Sequence, residues 1–497
     1  MNHYDVIVLG SGNAGLCAAL SAREQGARVA LLERAPLEQR GGNTAYTGGA
    51  FRVAYRGVDD LRLLMPDLLD SEVESSDFGS YTQEAFYEEL ATQSQYRADP
   101  EVLDTVVTES LDTLCWMTRQ GVRFMPIYGR QAFKIDGRYT FWGGLTVEVS
   151  GGGQGLVESL MRRAERNGIE FFYDSRAHHL SRDSQGHWQI ECANGQIFSA
   201  GALILATGGF HANLQWRAKY LGPGWDLAKV RGSRYNTGDG IRMALEIGAK
   251  AHGNWSGCHA VFYDVNAPEL GDLNLLNQQK NYFHLGVVVN ADGKRFVDEG
   301  ADFRNYTYSG MGAKVLQQPG GVAWQLFDQH SEHLLPDEYR VRHATRIRAD
   351  TLQELAAKLD GVNAIALLDT LNQYNAAVRR EVPFNPAVRD GRSTQGLAVP
   401  KSNWANPLES GPFVAYAVTC GITFTYGGLK VNSEAQVIDE QGQPITGLYA
   451  AGELVGNLYY VKYAGGAGLT SGSVLGRIAG KTAATFQTQA HAATPQE

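Results

Sequence analysis

The 497-residue sequence predicts an α/β fold, in which a Rossmann-like dinucleotide-binding domain is interrupted by an α+β module. Three observations carry this expectation. The apolar, β-branched run Tyr4 to Leu9 meets a glycine-rich turn and then the Ala- and Leu-rich stretch Ala14 to Gln25. A second apolar run, Ala27 to Glu33, closes a strand–helix–strand unit of the parallel-sheet kind. Much later the chain returns to an apolar strand with glycine at its end, Gly447 to Gly452, after a long stretch of mixed character. The length exceeds one compact core, so two or three domains are expected.

The remaining elements follow in chain order. Residues 52–145 carry acidic and aromatic clusters. Their helical stretches include Leu103 to Gln120, with Leu111, Leu114, Cys115 and Thr118 at helical spacing, so they read as a mostly helical insertion. A glycine run at 151–153 enters another helix. Residues 170–206 alternate as strands, with a turn at Asn194-Gly195. A second module runs from about Trp255 to Thr423. Its expected strands are Gly286 to Asn290 and Arg295 to Val297, and its expected helices Thr351 to Leu359 and Ala364 to Val378. The division is therefore 1–254, 255–423 and 424–497, with the first and last segments forming one domain. The Ala-, Gln- and Thr-rich tail after Phe486 is expected to fray.

Composition excludes several classes. Hydrophobic residues make up 43% and charged residues 20%, ordinary values for a soluble protein. A net charge of −9 lacks the basic field of a nucleic-acid binder. An anionic ligand must then be met by a few cations inside a pocket. Cys17, Cys115, Cys192, Cys258 and Cys420 are scattered with no C-x-x-C, so neither a disulfide framework nor a metal site is expected. The first residues run straight into a strand and do not read as a signal peptide, and nowhere do 18 apolar residues stand together. A cytoplasmic location is expected, with any membrane link peripheral.

The chemistry begins at Gly10-Ser11-Gly12-Asn13-Ala14-Gly15, which follows a strand and opens a helix, with Glu33-Arg34 ending the next strand. Gly10 makes the turn, Gly12 lets a pyrophosphate approach the backbone, and Gly15 lets helix and strand pack closely. The helix start offers N–H groups to phosphate, and Glu33 can accept from ribose hydroxyls. This motif does not separate FAD from NAD. Leu203 to Gly209, containing Thr207 and Gly208, and Gly447 to Glu453, containing Gly452, resemble the segments that complete an FAD site in two-domain flavoproteins. Ala177, in the β run, joins the candidate cofactor contacts. Gly465-Gly466-Ala467-Gly468-Leu469 opens the final helix, whose N-terminus would stabilise an anionic reduced flavin.

Gly41-Gly42-Asn43-Thr44-Ala45-Tyr46-Thr47-Gly48-Gly49 makes the resemblance specific. Across nearly its whole length the chain resembles the fumarate reductase/succinate dehydrogenase flavoprotein family. Within that family, Tyr128 to Lys134, Phe141-Trp142-Gly143-Gly144, Trp255 to His259 and Lys294 to Tyr306 are most similar to the tricarballylate dehydrogenases. The resemblance implies a capping domain over FAD and oxidation of tricarballylate to cis-aconitate by hydride transfer to flavin N5. It also implies a separate iron–sulfur or haem electron-transfer protein at the membrane. Where membrane-bound members carry the histidine that links flavin covalently, this chain has Asn43, so non-covalent FAD is implied. Arg304 stands at the family's proton-transferring arginine, with one extra residue between Glu299 and Arg304. His259 matches its substrate-binding histidine. Thr425-Tyr426 matches the threonine at the second domain boundary.

The sequence also departs from the family. Phe424 replaces a histidine, Lys462-Tyr463 replaces the arginine before the Gly465-Gly466 pair, and the relay upstream of Asn290 reads Lys280-Asn281-Tyr282-Phe283-His284. The carboxylate clamp is therefore rebuilt, with Arg130, Lys462 and Tyr463 as candidate substrate contacts. The cluster of Arg130, Lys134 and Arg138 can equally be a solvated face. Another substrate of the same chemistry, such as fumarate, a cyclic ketone or a corrinoid precursor, or a non-catalytic flavin carrier, stays open.

Overall fold

In the computed structural model, which describes residues 2–142, 144–276 and 278–493, the strand Asn2–Leu9 lies between two parallel neighbours, Val29–Leu32 and Ile197–Leu205. Gly143 of the Phe141–Gly144 stretch lies outside the described residues. The central strands are apolar on both faces because both faces are covered, and Val6 to Val8 and Ala30 to Leu31 are fully buried. The sheet has eight strands. Glu170–Phe172 extends one side, and Trp188–Cys192 and Ala177–Arg182 the other. On the side away from Asn2–Leu9, the nine-residue strand Ile197–Leu205 is long enough to serve two further partners. Its first half pairs antiparallel with Trp188–Cys192, and Leu203–Leu205 pair parallel with Leu448–Ala450. The chain thus leaves this sheet after Leu205 and rejoins it near residue 436, as the α/β expectation requires.

The final helix, Ala467–Ala493, is packed on the first, Asn13–Glu24, by small residues. A Cβ on Gly476 would lie 2.4 Å from the Ala14 carbonyl oxygen, and one on Gly480 2.1 Å from that of Ala18. Asn13 fastens the same contact by donating through Nδ2 to the Leu469 carbonyl at 2.9 Å and to Ser473 Oγ at 2.8 Å. The helix continues past Phe486, where fraying was expected. Gln487 seats over Gly201, whose Cβ would otherwise sit 1.8 Å from Gln487 Oε1.

The insertion contains helices such as Gln83–Gln93 and one three-stranded sheet of very short strands, while its strand Phe124–Pro126 pairs with Val147–Val149, just outside it, in a second small sheet. Its expected single helix over Leu103 to Gln120 is two, Pro100–Thr108 and Ser110–Arg119. Ser110 Oγ marks the break: it donates to the Val107 carbonyl at 2.8 Å and accepts from the Ala54 N–H at 3.2 Å.

A second sheet of six strands is organised around the 13-residue strand Phe413–Thr425. It takes Cys258–Asp264, Ala323–Phe327 and Arg346–Ala349 antiparallel, with Val287–Asn290 beyond Ala323–Phe327. Lys229–Val230, upstream of Trp255, joins the same strand in parallel. Arg295 makes only an isolated bridge to Val289. Helices Leu352–Lys358 and Ala364–Ala377 contribute to one apolar cluster against this sheet, and Met311–Leu316 to another.

Candidate active site

The glycines of the first turn divide their work. At φ +103° Gly10 lies so close to the next strand that a Cβ would stand 2.4 Å from the Ala206 carbonyl oxygen, and one on Gly15 would stand 1.9 Å from that of Gly10. Gly12 is different: the nearest atom to its Cβ position is Thr44 Oγ1 at 3.6 Å, and Gly12 lines a cavity. Gly10 lines it too, while Gly15 lies behind it as a packing residue. Thr44 Oγ1 accepts from the Asn13 N–H at 2.9 Å, holding the helix start against Gly42–Thr44. Glu33, 5% exposed, accepts from Ser11 N–H at 2.9 Å, Ser11 Oγ at 2.6 Å and Ala35 N–H at 2.8 Å.

The cavity continues without interruption along Asn13, Ala14, Arg34, Asn43, Gly48, Ala177, Thr207 and Gly208 to Gly452, Glu453, Gly468 and Leu469. Arg34 is held by Thr237 Oγ1 at 2.6 Å and Asp239 at 2.7 Å. Gly49 is turned away, and a Cβ there would stand 2.8 Å from the Gly152 backbone. Thr207 lines this region, and its buried Oγ1, on the side of Gly240, has no hydrogen-bond partner among the described residues. Glycine backbone, a helix start and an acid at the strand end are the donors and acceptors a dinucleotide needs, so the residues present fit FAD. Asn43 Nδ2 donates to the Thr423 carbonyl at 2.6 Å, and its Oδ1 accepts from Ser233 N–H at 3.0 Å.

Beyond Gly465 and Gly466 the wall passes to the second sheet. Arg304, 8% exposed, opens the short helix Arg304–Thr307. The loop before it is pinned: Glu299 pairs with Arg295 at 2.5 Å and accepts from Val288 N–H at 2.9 Å, while Gly300 abuts Asn403. The Arg304 guanidinium lies over Tyr282, 4.4 Å from the ring centroid, and 5.3 Å from that of Trp142. Its Nη2 donates to the Arg130 carbonyl and to Tyr282 Oη. Arg130 itself lies on Gly48 and pairs with Glu148, with Glu338 at 3.9 Å. Burial lowers its affinity for a proton, but Glu148 and Glu338 more than offset this.

His259 lies in an aromatic corner, 4.8 Å from Tyr308 and 4.7 Å from Tyr463 between ring centroids. Burial, and then the neighbouring Arg231, lower its pKa to about 3, so the imidazole is neutral at ordinary pH. Its Nδ1 is buried without a partner among the described residues. Tyr463 Oη accepts from Gly468 N–H at 2.8 Å, tying this corner to the final helix.

Three expected substrate contacts do not reach the wall. At the end of Phe413–Thr425 the pairing with Cys258–Asp264 shifts register around Thr423, and Thr423 and Phe424 both line the cavity. Thr425 turns behind Phe424 and donates to Glu453 from N–H at 3.0 Å. Tyr426 is 1% exposed and sits behind Phe424, while Lys462 is exposed on the outer side of the loop that turns Tyr463 inward. Sequence reasoning missed Arg231, Tyr308, Asn281 and Glu338, which all line the cavity. It also missed Arg52, fully buried, which pairs with Glu89 at 2.8 Å and donates through Nε to the Gly465 carbonyl at 2.9 Å. Arg231 carries no motif signal. Only pairing of Lys229–Val230 with Lys229's partner Gly421 and Val230's partner Ile422 brings it to the site.

Residues 5–469 match the FAD binding domain family. The chain belongs to that family. It is built as a fumarate reductase/succinate dehydrogenase-type flavoprotein, and its cofactor is FAD. NADH:fumarate oxidoreductase of Klebsiella pneumoniae is 26% identical over 97% of this chain, which spans only 48% of that relative, about half its length. 4-Oxocyclohexanecarboxylate 2-dehydrogenase of Sinomonas cyclohexanicum is 29% identical over 97% of this chain and 93% of its own. The open conformation of a flavocytochrome c3 fumarate reductase superposes with a TM-score of 0.72 at 24% identity, over 98% of this chain and 79% of that one. Among the described residues no helix of this family member is long and apolar enough to cross a membrane.

Proposed function

We propose that this flavoprotein is a dehydrogenase of a saturated tricarboxylate, converting tricarballylate to cis-aconitate. The observation that carries the reading is that Arg304 and the dinucleotide cradle line one continuous cavity, meeting at Gly465-Gly466. FAD, when bound, accepts the hydride from the carbon next to a carboxylate. Arg304 exchanges the proton at the neighbouring carbon. Tyr282, Trp142 and the Arg130 carbonyl hold its guanidinium in one orientation, so little reorganisation accompanies the transfer. An arginine holds its proton strongly, so the same group serves more easily as acid in the reverse, reducing direction. The neutral His259 offers a hydrogen bond to a substrate oxygen, and Gln131, Asn281 and Asn305 supply further polar contacts on the wall. Asn43 in place of a linking histidine supports non-covalent FAD. Electrons then leave to a separate iron–sulfur or haem protein, which would bring an otherwise cytoplasmic enzyme to the membrane surface. Among the described residues no group of three or more His, Cys, Asp or Glu stands together to hold a metal centre, in keeping with a separate acceptor.

A second reading has its own support. Tyr308, Phe424 and Tyr463 make one wall aromatic, and a cyclic keto acid, like the substrate in the name of the Sinomonas relative, would stack there. The test is an anaerobic screen of flavin bleaching, with kcat/KM compared for tricarballylate, succinate and 4-oxocyclohexanecarboxylate. Tricarballylate is expected to lead succinate by at least about 10-fold, because a site built for one more charged group discriminates against the ligand lacking it. A better rate with succinate or the cyclic acid rejects the tricarboxylate assignment.

A further inference from the structure

We infer that Arg231 is the carboxylate anchor of this pocket, the residue that selects anionic over neutral substrates. The inference rests on the polycarboxylate reading above and adds a residue to it. Other cations of the cavity wall already have carboxylates. Arg130 has Glu148, and Arg34 and Arg176 share Asp239. Arg304 is fixed between two aromatic rings and donates to a carbonyl. Among the described residues the Arg231 side chain has one hydrogen-bond partner, the neutral Thr423 Oγ1 at 3.2 Å. Its electrostatic neighbours are Tyr263, Tyr308 and Tyr463, and a second cation, Arg130.

The fold fixes the point from which Arg231 reaches the cavity. Its backbone N–H donates to the Ile422 carbonyl at 2.8 Å, continuing the pairing of Lys229–Val230 with the central strand of the second sheet. Two residues along the chain, Ser233 N–H donates to Asn43 on the cofactor side. The guanidinium is thus carried on a paired backbone between the cofactor cradle and the corner formed by His259, Tyr308 and Tyr463. A guanidinium buried without a counter-charge is unfavourable, and burial lowers the pKa of Arg231 accordingly. A carboxylate entering the cavity removes that cost and forms charge-assisted hydrogen bonds with the guanidinium fork. His259 cannot take this part, because it is neutral at the pH where the substrate is ionised. Its role beside Arg231 is that of a hydrogen-bonding group to the same carboxylate.

The test uses FAD-loaded wild-type enzyme, R231Q and R231K, titrated with tricarballylate, succinate and the neutral tricarballylate trimethyl ester. Binding is read from perturbation of the flavin absorbance, and bound FAD is quantified separately. Wild type is expected to bind tricarballylate far better than the ester. R231Q should lose carboxylate affinity by about 30-fold or more with FAD content unchanged, as for a buried charge pair with one partner removed. R231K should fall about 10-fold, since an ammonium keeps the charge and loses the fork. Equal carboxylate affinity in wild type, R231Q and R231K overturns the anchor while leaving the polycarboxylate reading standing. Failure of wild type to bind any carboxylate overturns that reading, and the anchor with it. If R231Q does not hold FAD, R231K decides: unchanged carboxylate affinity in R231K, or FAD loss there too, overturns the anchor.

Discussion

Arg304 has its guanidinium between Tyr282 and Trp142 and its Nη2 on the Arg130 carbonyl. None of these contacts belongs to the dinucleotide cradle, so R304A is expected to keep its FAD and lose turnover by roughly 10²–10⁴-fold, the usual range for a proton-transfer group. Single-turnover flavin reduction within a few-fold of wild type would remove Arg304 from the chemistry. His259 yields a pH prediction. Its folded pKa, about 3, lies below the ordinary 6.5, so between these values the unfolded chain binds the extra proton. The stability linked to this residue is complete above pH 6.5 and lost as pH falls toward 3, by up to about 1.4 kcal/mol per pH unit. Buried His284 acts in the same direction, so the comparison must isolate residue 259. The melting temperature of H259Q should fall less than that of wild type between pH 7.5 and 5.5. Identical pH dependence would show that His259 is not held neutral.

The contact between the first and last helices depends on glycines that a sequence motif does not flag. Gly480 meets the Ala18 carbonyl so closely that even one methyl group must displace a helix. G480A is expected to destabilise the protein by about 1–3 kcal/mol, in the range of an overpacked core, and to weaken FAD retention because Asn13 and Leu469 share that interface. G57A, at an extended glycine with nothing within 4 Å of its Cβ position, should change stability by no more than about 0.5 kcal/mol. Thermal melts of the two variants check this, and equal melts would sink the packing argument. Elements with strong period and punctuation were legible: Val29–Leu32 and Ala364–Ala377 lie where the pattern put them. The break at Glu109 was not, because Ser110 interrupts the helical pattern through a hydrogen bond to Ala54, 56 positions away.

Cofactor attachment draws on residues far apart in sequence. Asn43 is held by Thr423 and Ser233, and an amide there offers no nucleophile for a flavin bond. Acid precipitation should therefore release all of the FAD into the supernatant. Flavin absorbance that stays with the pellet would demonstrate a covalent link. The residues by themselves indicated the α/β class, the glycine turn Gly10 to Gly15 and the acid at Glu33, whereas Arg304 became a candidate only through the family resemblance. The first three signals are local: a strand, a turn and a helix start are written in adjacent residues. Only the tertiary structure decided which candidates face the cavity. Thr425 turns away to bond Glu453, and Lys462 because its loop crosses the surface. Arg231 enters because two short strand residues pair with Gly421 and Ile422, almost two hundred positions downstream. Which side a residue faces is settled by pairing and packing with distant chain, and that information is not contained in its neighbours.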